Sequence, residues 1–133
     1  MISVMSVAEE QKKEFCASHP VCRDYTCLYC AEEAGAELGW FSVREEANRL
    51  VIAQLQLKNG ACGNRMSEED KLIAELMIRS AASYALNRYL PEIACEETEM
   101  EAYLPELKFS KNSAGIYIIP LQKLIHKCAS CQN

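Results

Sequence analysis

Three cysteines fall within nine residues in the stretch CRDYTCLYC, residues 22–30; Cys16 lies upstream of it, and a second close pair, Cys128 and Cys131, comes far downstream. Thiolates at C-x-x-C spacing can both reach one metal ion at about 2.3 Å, and zinc accepts four of them tetrahedrally. Cys27, Cys30, Cys128 and Cys131 are therefore the expected ligands of a structural zinc. Cys22 and Cys16, or His19, are further donors near the first pair, and His126 near the second. The site requires two distant parts of the sequence to meet, and would pin the loop around residues 22–30 to a C-terminal helix. Structural zinc binds with about 10–16 kcal/mol, comparable to the whole stability of a domain at about 5–15 kcal/mol. Cys62 and Cys95 have no close cysteine neighbour and read as ordinary buried thiols.

Two other chemistries fit the same residues. Cys22-x4-Cys27-x2-Cys30, with Arg23 after the first cysteine and Cys62 following Cys30 after 31 intervening residues, resembles the loop of plant-type ferredoxins. That resemblance implies an iron-sulfur cluster of the [2Fe-2S] type and a redox or sensor role. It covers four cysteines and no fold: Asp24, Tyr25, Leu28 and Tyr29 stand where that family has small residues. A thiol oxidoreductase or cysteine-dependent enzyme is the third reading, since Cys27 and Cys30 precede a predicted helix whose N-terminal dipole favours thiolate. Glu32 and Glu33 oppose it, and no strand is expected before the pair.

The elements that must position these groups read mostly as helices. Ser6 and Glu9 form a capping-box pattern that predicts a helix to about Cys16. His19-Pro20 then breaks it and leaves Cys22 in a loop. A short helix is expected over 31–38, ended by Gly39, and a second Ser-x-x-Glu box, Ser42 with Glu45, opens SVREEANRLVIAQLQL as a helical segment whose second half is partly strand-like. The clearest element is a long helix from Ser67 to about Leu90, with Glu68, Glu69 and Asp70 in its first turn and Pro91 as its stop. LKFSKNSAGIYIIP predicts a hairpin near residues 106–119, and a last helix carries Leu121, Leu124 and Cys128 on one face. The expected architecture is mainly α: a compact helical bundle with one small β-hairpin, in a single domain spanning 1–133.

Composition narrows the function classes. Half the residues are apolar, and 14 basic against 19 acidic residues give a formal net charge of -5, which opposes nucleic acid and anionic membranes. The only adjacent basic pair, Lys12-Lys13, is flanked by glutamates, whereas Glu92 to Glu106 contains six glutamates and no basic residue. No stretch is apolar enough to span a membrane and no signal peptide is evident, so a cytoplasmic or otherwise intracellular protein with reduced thiols is expected. No phosphate-cradling glycine loop, H-E-x-x-H or nucleophile elbow is found. The expected function is a small cysteine-rich zinc protein acting as a regulatory or interaction module with another protein.

Overall fold

The apolar run between Cys27 and Leu57 holds more buried side chains than one helix face can use, and it folds as strands. In the computed structural model, which describes residues 1–125, the chain begins with β1 (Ile2–Ser6), a 3-10 turn and α1 (Lys12–Ser18). A meander follows: β2 (Cys27–Glu33), β3 (Ala36–Glu46) and β4 (Arg49–Leu57). Ala34 and Gly35, with φ of 53° and 83°, form the two-residue turn between β2 and β3. Both central residues of such a turn need positive φ for its twist to match the strands.

The long helix α2 (Glu68–Asn87) leads to β5 (Glu92–Cys95), and two 3-10 turns then precede the paired strands β6 (Ser110–Lys111) and β7 (Tyr117–Pro120). Residues 121–125 are helical. The seven strands form one sheet in the order β1-β2-β3-β4-β5-β7-β6. Every neighbouring pair is antiparallel except β4 and β5, which α2 joins as a parallel crossover.

Alternation along the strands sends side chains to two covered faces. Ala31, Phe41, Val43, Leu50, Ile52 and Leu55 join a core with Ile73, Met77, Ile78, Ala81 and Ala85 of α2. Each fully buried Val, Leu, Ile, Phe or Met side chain there contributes about 1.5–3 kcal/mol. On the opposite face Leu28, Trp40, Val51, Ala53 and Ala94 are also buried, and Phe15 of α1 meets Trp40 edge-on at 6.0 Å. The start of α2 is fixed by a reciprocal cap: Ser67 Oγ accepts from the Asp70 N–H at 3.1 Å, and Asp70 Oδ2 accepts from the Ser67 N–H at 2.9 Å.

The expected mainly α bundle is thus corrected to a seven-stranded mixed sheet with helices on its faces. The reason lies in the double burial. A strand covered on both sides loses its period of two and reads as a continuous apolar run, in which helical spacings such as Val43, Ala47, Leu50 and Val51 arise without a helix. Ser42 and Glu45, expected to cap a helix, lie within β3, and the helix expected over 31–38 is the turn from β2 into β3. The helix expected from Ser6 is a 3-10 turn and the short α1. Among the described residues, no helix is long and apolar enough to cross a membrane.

Candidate functional site

Strands β4 and β5 pair from Arg49 with Glu92 to Ile52 with Cys95, after which β5 ends while β4 runs on to Leu57. The sheet forks there, at the carboxyl ends of the one parallel pair among the described residues, the place where open sheets with crossover helices collect ligands. A bulge shapes the fork. Ser42 pairs with Gln54 but Val43 with Ile52, so Ala53 is an extra residue in β4. The carbonyl of Ile52 accepts from the Glu96 N–H at 2.9 Å, and the N–H of Leu55 donates to Glu97 Oε1 at 3.1 Å. In a regular strand, backbone groups facing one neighbour recur at every second residue. That residues 52 and 55 both face the fork is the work of the bulge, which turns the Leu55 amide into it.

Charged and polar side chains wall the fork on the α1 side. Arg44 donates twice to Glu96, at 2.9 and 2.7 Å, and Arg23 reaches the same carboxylate at 3.5 Å. The Arg44 hydrogen bonds hold the Glu96 carboxyl below its ordinary range. The loop after α1 is tied to β4 through Gln54, whose Oε1 accepts from the Cys22 N–H at 3.1 Å and whose Nε2 donates to the Pro20 carbonyl at 3.0 Å. Cys95 stands at the root of the fork, and burial pushes its thiol up to about 12.

The loop from β4 to α2, residues 58–67, forms the outer end of the fork. Gly60 and Gly63 take φ of 75° and 57°, which side-chain-bearing residues rarely adopt. A cleft of about 480 Å³ separates Cys62 and Gly63 of this loop from Thr98, Glu101 and Tyr117. A smaller one of about 170 Å³, sharing Thr98, Glu101 and Tyr117, reaches inward to Arg23, Glu96 and Glu97. The N-terminus of α2 opens from the same loop with amides that have no partner inside the helix. Lys58 and Arg65 lie in the loop, and Glu68, Glu69 and Asp70 follow in the first turn.

The cysteines are dispersed. Cys27 and Cys30 lie three residues apart on β2 and so point to opposite faces of the sheet. The Cys27 thiol donates to the Tyr84 hydroxyl of α2 at 3.8 Å, and the Cys30 thiol to Glu37 Oε1 on the α1 side at 3.6 Å. One ion cannot sit at bonding distance from both, because a sheet lies between them. Cys16 contacts the Tyr25 hydroxyl at 3.7 Å, Cys22 is exposed beside Gln54, and Cys62 is in the loop before α2. Among the described residues, no group of three or more His, Cys, Asp or Glu is placed to hold a metal ion. The expectations of zinc and of an iron-sulfur cluster are corrected accordingly; Cys128, Cys131 and His126 lie outside the described residues.

A second polar cluster lies on the α1 face. His19 stacks on Phe15 with ring centroids 3.7 Å apart, and its Nδ1 is 2.9 Å from the Phe15 carbonyl and its Nε2 2.8 Å from Glu37. Burial and the neighbouring Glu37 push the Cys30 thiol up to about 12, which makes it a poor nucleophile. This cluster fastens α1 to the sheet.

The residues that shape the fork, Ala53, Leu55, Glu96 and Glu97, gave no signal as a set, because they meet only in the fold. The loop 58–67 did carry one: two glycines between a β-rich run and an acid-capped helix is the outline of an anion-binding turn.

No protein-family model and no curated protein sequence matches this chain. Solved structures do match its fold. The KacTA–DNA complex superposes with a TM-score of 0.66 at 10% identity, over 98% of this chain and 99% of that one. An acetyltransferase of the GNAT family from Staphylococcus aureus gives 0.62 at 10% identity, over 91% and 99%. A mutant of the toxin AtaT, bound to the C-terminus of the antitoxin AtaR and to acetyl-CoA, gives 0.59 at 12% identity, over 96% and 98%. At these identities the likeness is one of fold: the chain has the architecture of GNAT acetyltransferases across nearly its whole described length. The zinc-dependent interaction module expected from the cysteines gives way to that architecture.

Proposed function

We propose that the chain is an acyl-CoA-dependent N-acyltransferase working at the β4–β5 fork. The observation that carries this reading is the Leu55 N–H, turned by the bulge into a crevice between parallel strands. A backbone donor fixed in that position can polarise a carbonyl whose oxygen gains charge during acyl transfer. The likeness to structures described as acetyltransferases, one of them holding acetyl-CoA, supports the same reading.

The donor set at the outer end fits a phosphate-bearing cofactor. The amide of Gly63, those of Glu68 and Glu69 at the start of α2, and the side chains of Lys58 and Arg65 would hold the phosphates, while the amides of Gly60 and Ala61 are engaged within the turn. The charges of Glu68 and Glu69 weaken that hold, while Asp70 is occupied by Ser67 and by the Asn59 amide at 3.0 Å. When bound, an acyl-CoA would supply an activated thioester for transfer to an amine. The inner cleft would take the acceptor. Its rim carries Glu96, Glu97 and Glu101, which favour a cationic amine and disfavour an acidic one. A protein partner belongs to the same proposal, supported by the antitoxin bound to the AtaT neighbour.

Calorimetry with acetyl-CoA tests the reading, followed by chromatographic measurement of free CoA in the presence of polyamines or lysine peptides. Chromatography is required because the chain's own thiols react with colorimetric thiol reagents. Binding in the micromolar range and amine-dependent CoA release are expected. An absence of binding at millimolar acetyl-CoA would sink the proposal.

A further inference from the structure

Glu96 and Glu97 are adjacent, yet they are held in different ways. Glu96 is clamped by Arg44 and approached by Arg23. Among the described residues, no Lys or Arg lies within ion-pair distance of Glu97. Its carboxylate is held by backbone amides alone: Oε1 by Leu55 at 3.1 Å, and Oε2 by Glu99 at 3.5 Å. Charge-assisted bonds from N–H to carboxylate usually close to about 2.7–2.9 Å, so both contacts are long. Further acidic residues, Glu99 and Glu101, stand close by in sequence.

The Leu55 amide is the donor that the bulge aims into the fork, and Glu97 occupies it. We propose that Glu97 is the gate of the fork: its carboxylate caps the Leu55 N–H in the free protein, and a ligand carbonyl enters by exchanging with it. The gate rests on the acyl-CoA reading above. The exchange conserves the hydrogen bond of the amide and returns the carboxylate to water. Three features make it feasible. Glu97 follows the end of β5 and is therefore free of ladder constraints. It bears no cation that would have to be abandoned. It lines the inner cleft, so the displaced side chain has room on the solvent side.

The experiment compares the full chain with Glu97→Ala, Glu97→Gln and Glu99→Gln, using acetyl-CoA as the probe. Amide hydrogen exchange at Leu55 is followed by NMR, and affinity by calorimetry. In the free proteins, Glu97→Ala is expected to speed Leu55 exchange by about tenfold or more, with Glu97→Gln and Glu99→Gln near wild type. Acetyl-CoA should restore protection of Leu55 in Glu97→Ala and bind it about five- to tenfold more tightly than wild type. Unchanged Leu55 exchange in Glu97→Ala overturns the gate. So does equal or weaker binding of acetyl-CoA by Glu97→Ala when wild type binds, an outcome that leaves the acyl-CoA reading intact. Tightening in Glu99→Gln equal to that in Glu97→Ala also overturns it, by assigning the effect to charge alone. Failure of all four proteins to bind acetyl-CoA overturns the reading on which the gate rests, and the gate with it.

Discussion

The two faces of the sheet are covered by different means. On one, the 20-residue α2 lays Ile73, Met77, Ile78, Ala81 and Ala85 against β3 and β4 in a continuous apolar core. On the other, the seven-residue α1 and the loop after it are fastened, beside the Phe15–Trp40 contact, by individual polar contacts: His19 with Glu37, Gln54 with Cys22 and Pro20, and Arg23 with Glu96. Apolar burial is non-directional and adds up over area, whereas each polar fastening depends on one geometry and is exposed to pH and salt. The α2 face therefore supplies most of the stability, and the α1 face carries the groups that can change state near the fork.

This division can be broken most directly at its strong side. Ile78→Ala, at a fully buried position on α2, is expected to cost about 2–5 kcal/mol in urea unfolding. A loss below 1 kcal/mol by the same measure would show that α2 is not the main stabilising cover. On the weaker side, Arg44→Met should cost about 1–2 kcal/mol at neutral pH, allowing for the partial exposure of its pair with Glu96. That cost carries a pH signature. The Glu96 carboxyl is held below its ordinary range by Arg44, so its contribution is present above that range and is lost as pH falls through the lowered value. The stability difference between wild type and Arg44→Met should shrink on acidification, and a gap independent of pH would place the effect in packing instead.

A smaller effect is expected at the start of α2. Ser67→Ala removes one half of the reciprocal cap and should cost about 1 kcal/mol by thermal or urea unfolding. The same end of α2 yields the smallest and most diagnostic expectation. Because Glu68 and Glu69 oppose a polyanionic ligand, raising ionic strength from about 0.05 to 0.5 M should strengthen acetyl-CoA binding, by about twofold. A site dominated by Lys58 and Arg65 would instead weaken, and calorimetry at the two salt concentrations separates the cases.

What could be read from the sequence follows the same contrast. α2 was legible because its signals are local: Ser67 and the acids after it mark the start, and Pro91 the stop. The paired strands around residues 110–120 were legible for the same reason. β2, β3 and β4 were misread because burial on both faces erased their alternation and left cysteines and capping-like serines as the loudest local features. Cys27 and Cys30 show the error most clearly. Their spacing favours one ion in a turn and forbids it in a strand, and nothing in CLYC itself says which applies. The fork was beyond local reading altogether, since Leu55 and Glu97 are 42 residues apart and meet only because α2 returns the chain alongside β4.

The extra residue in β4 makes that strand two half-strands spliced out of phase. Before the splice Ile52 faces α2; after it Leu55 and Leu57 do, while Ala53 and Gln54 both turn the other way. Were the splice straightened into a regular ladder with every residue kept, inside and outside would exchange over the whole distal half. Gln54 and Gln56 would be driven into the apolar core, and Leu55 and Leu57 turned out of it. The direction of one amide and the sidedness of four side chains thus rest on the same two-against-one pairing.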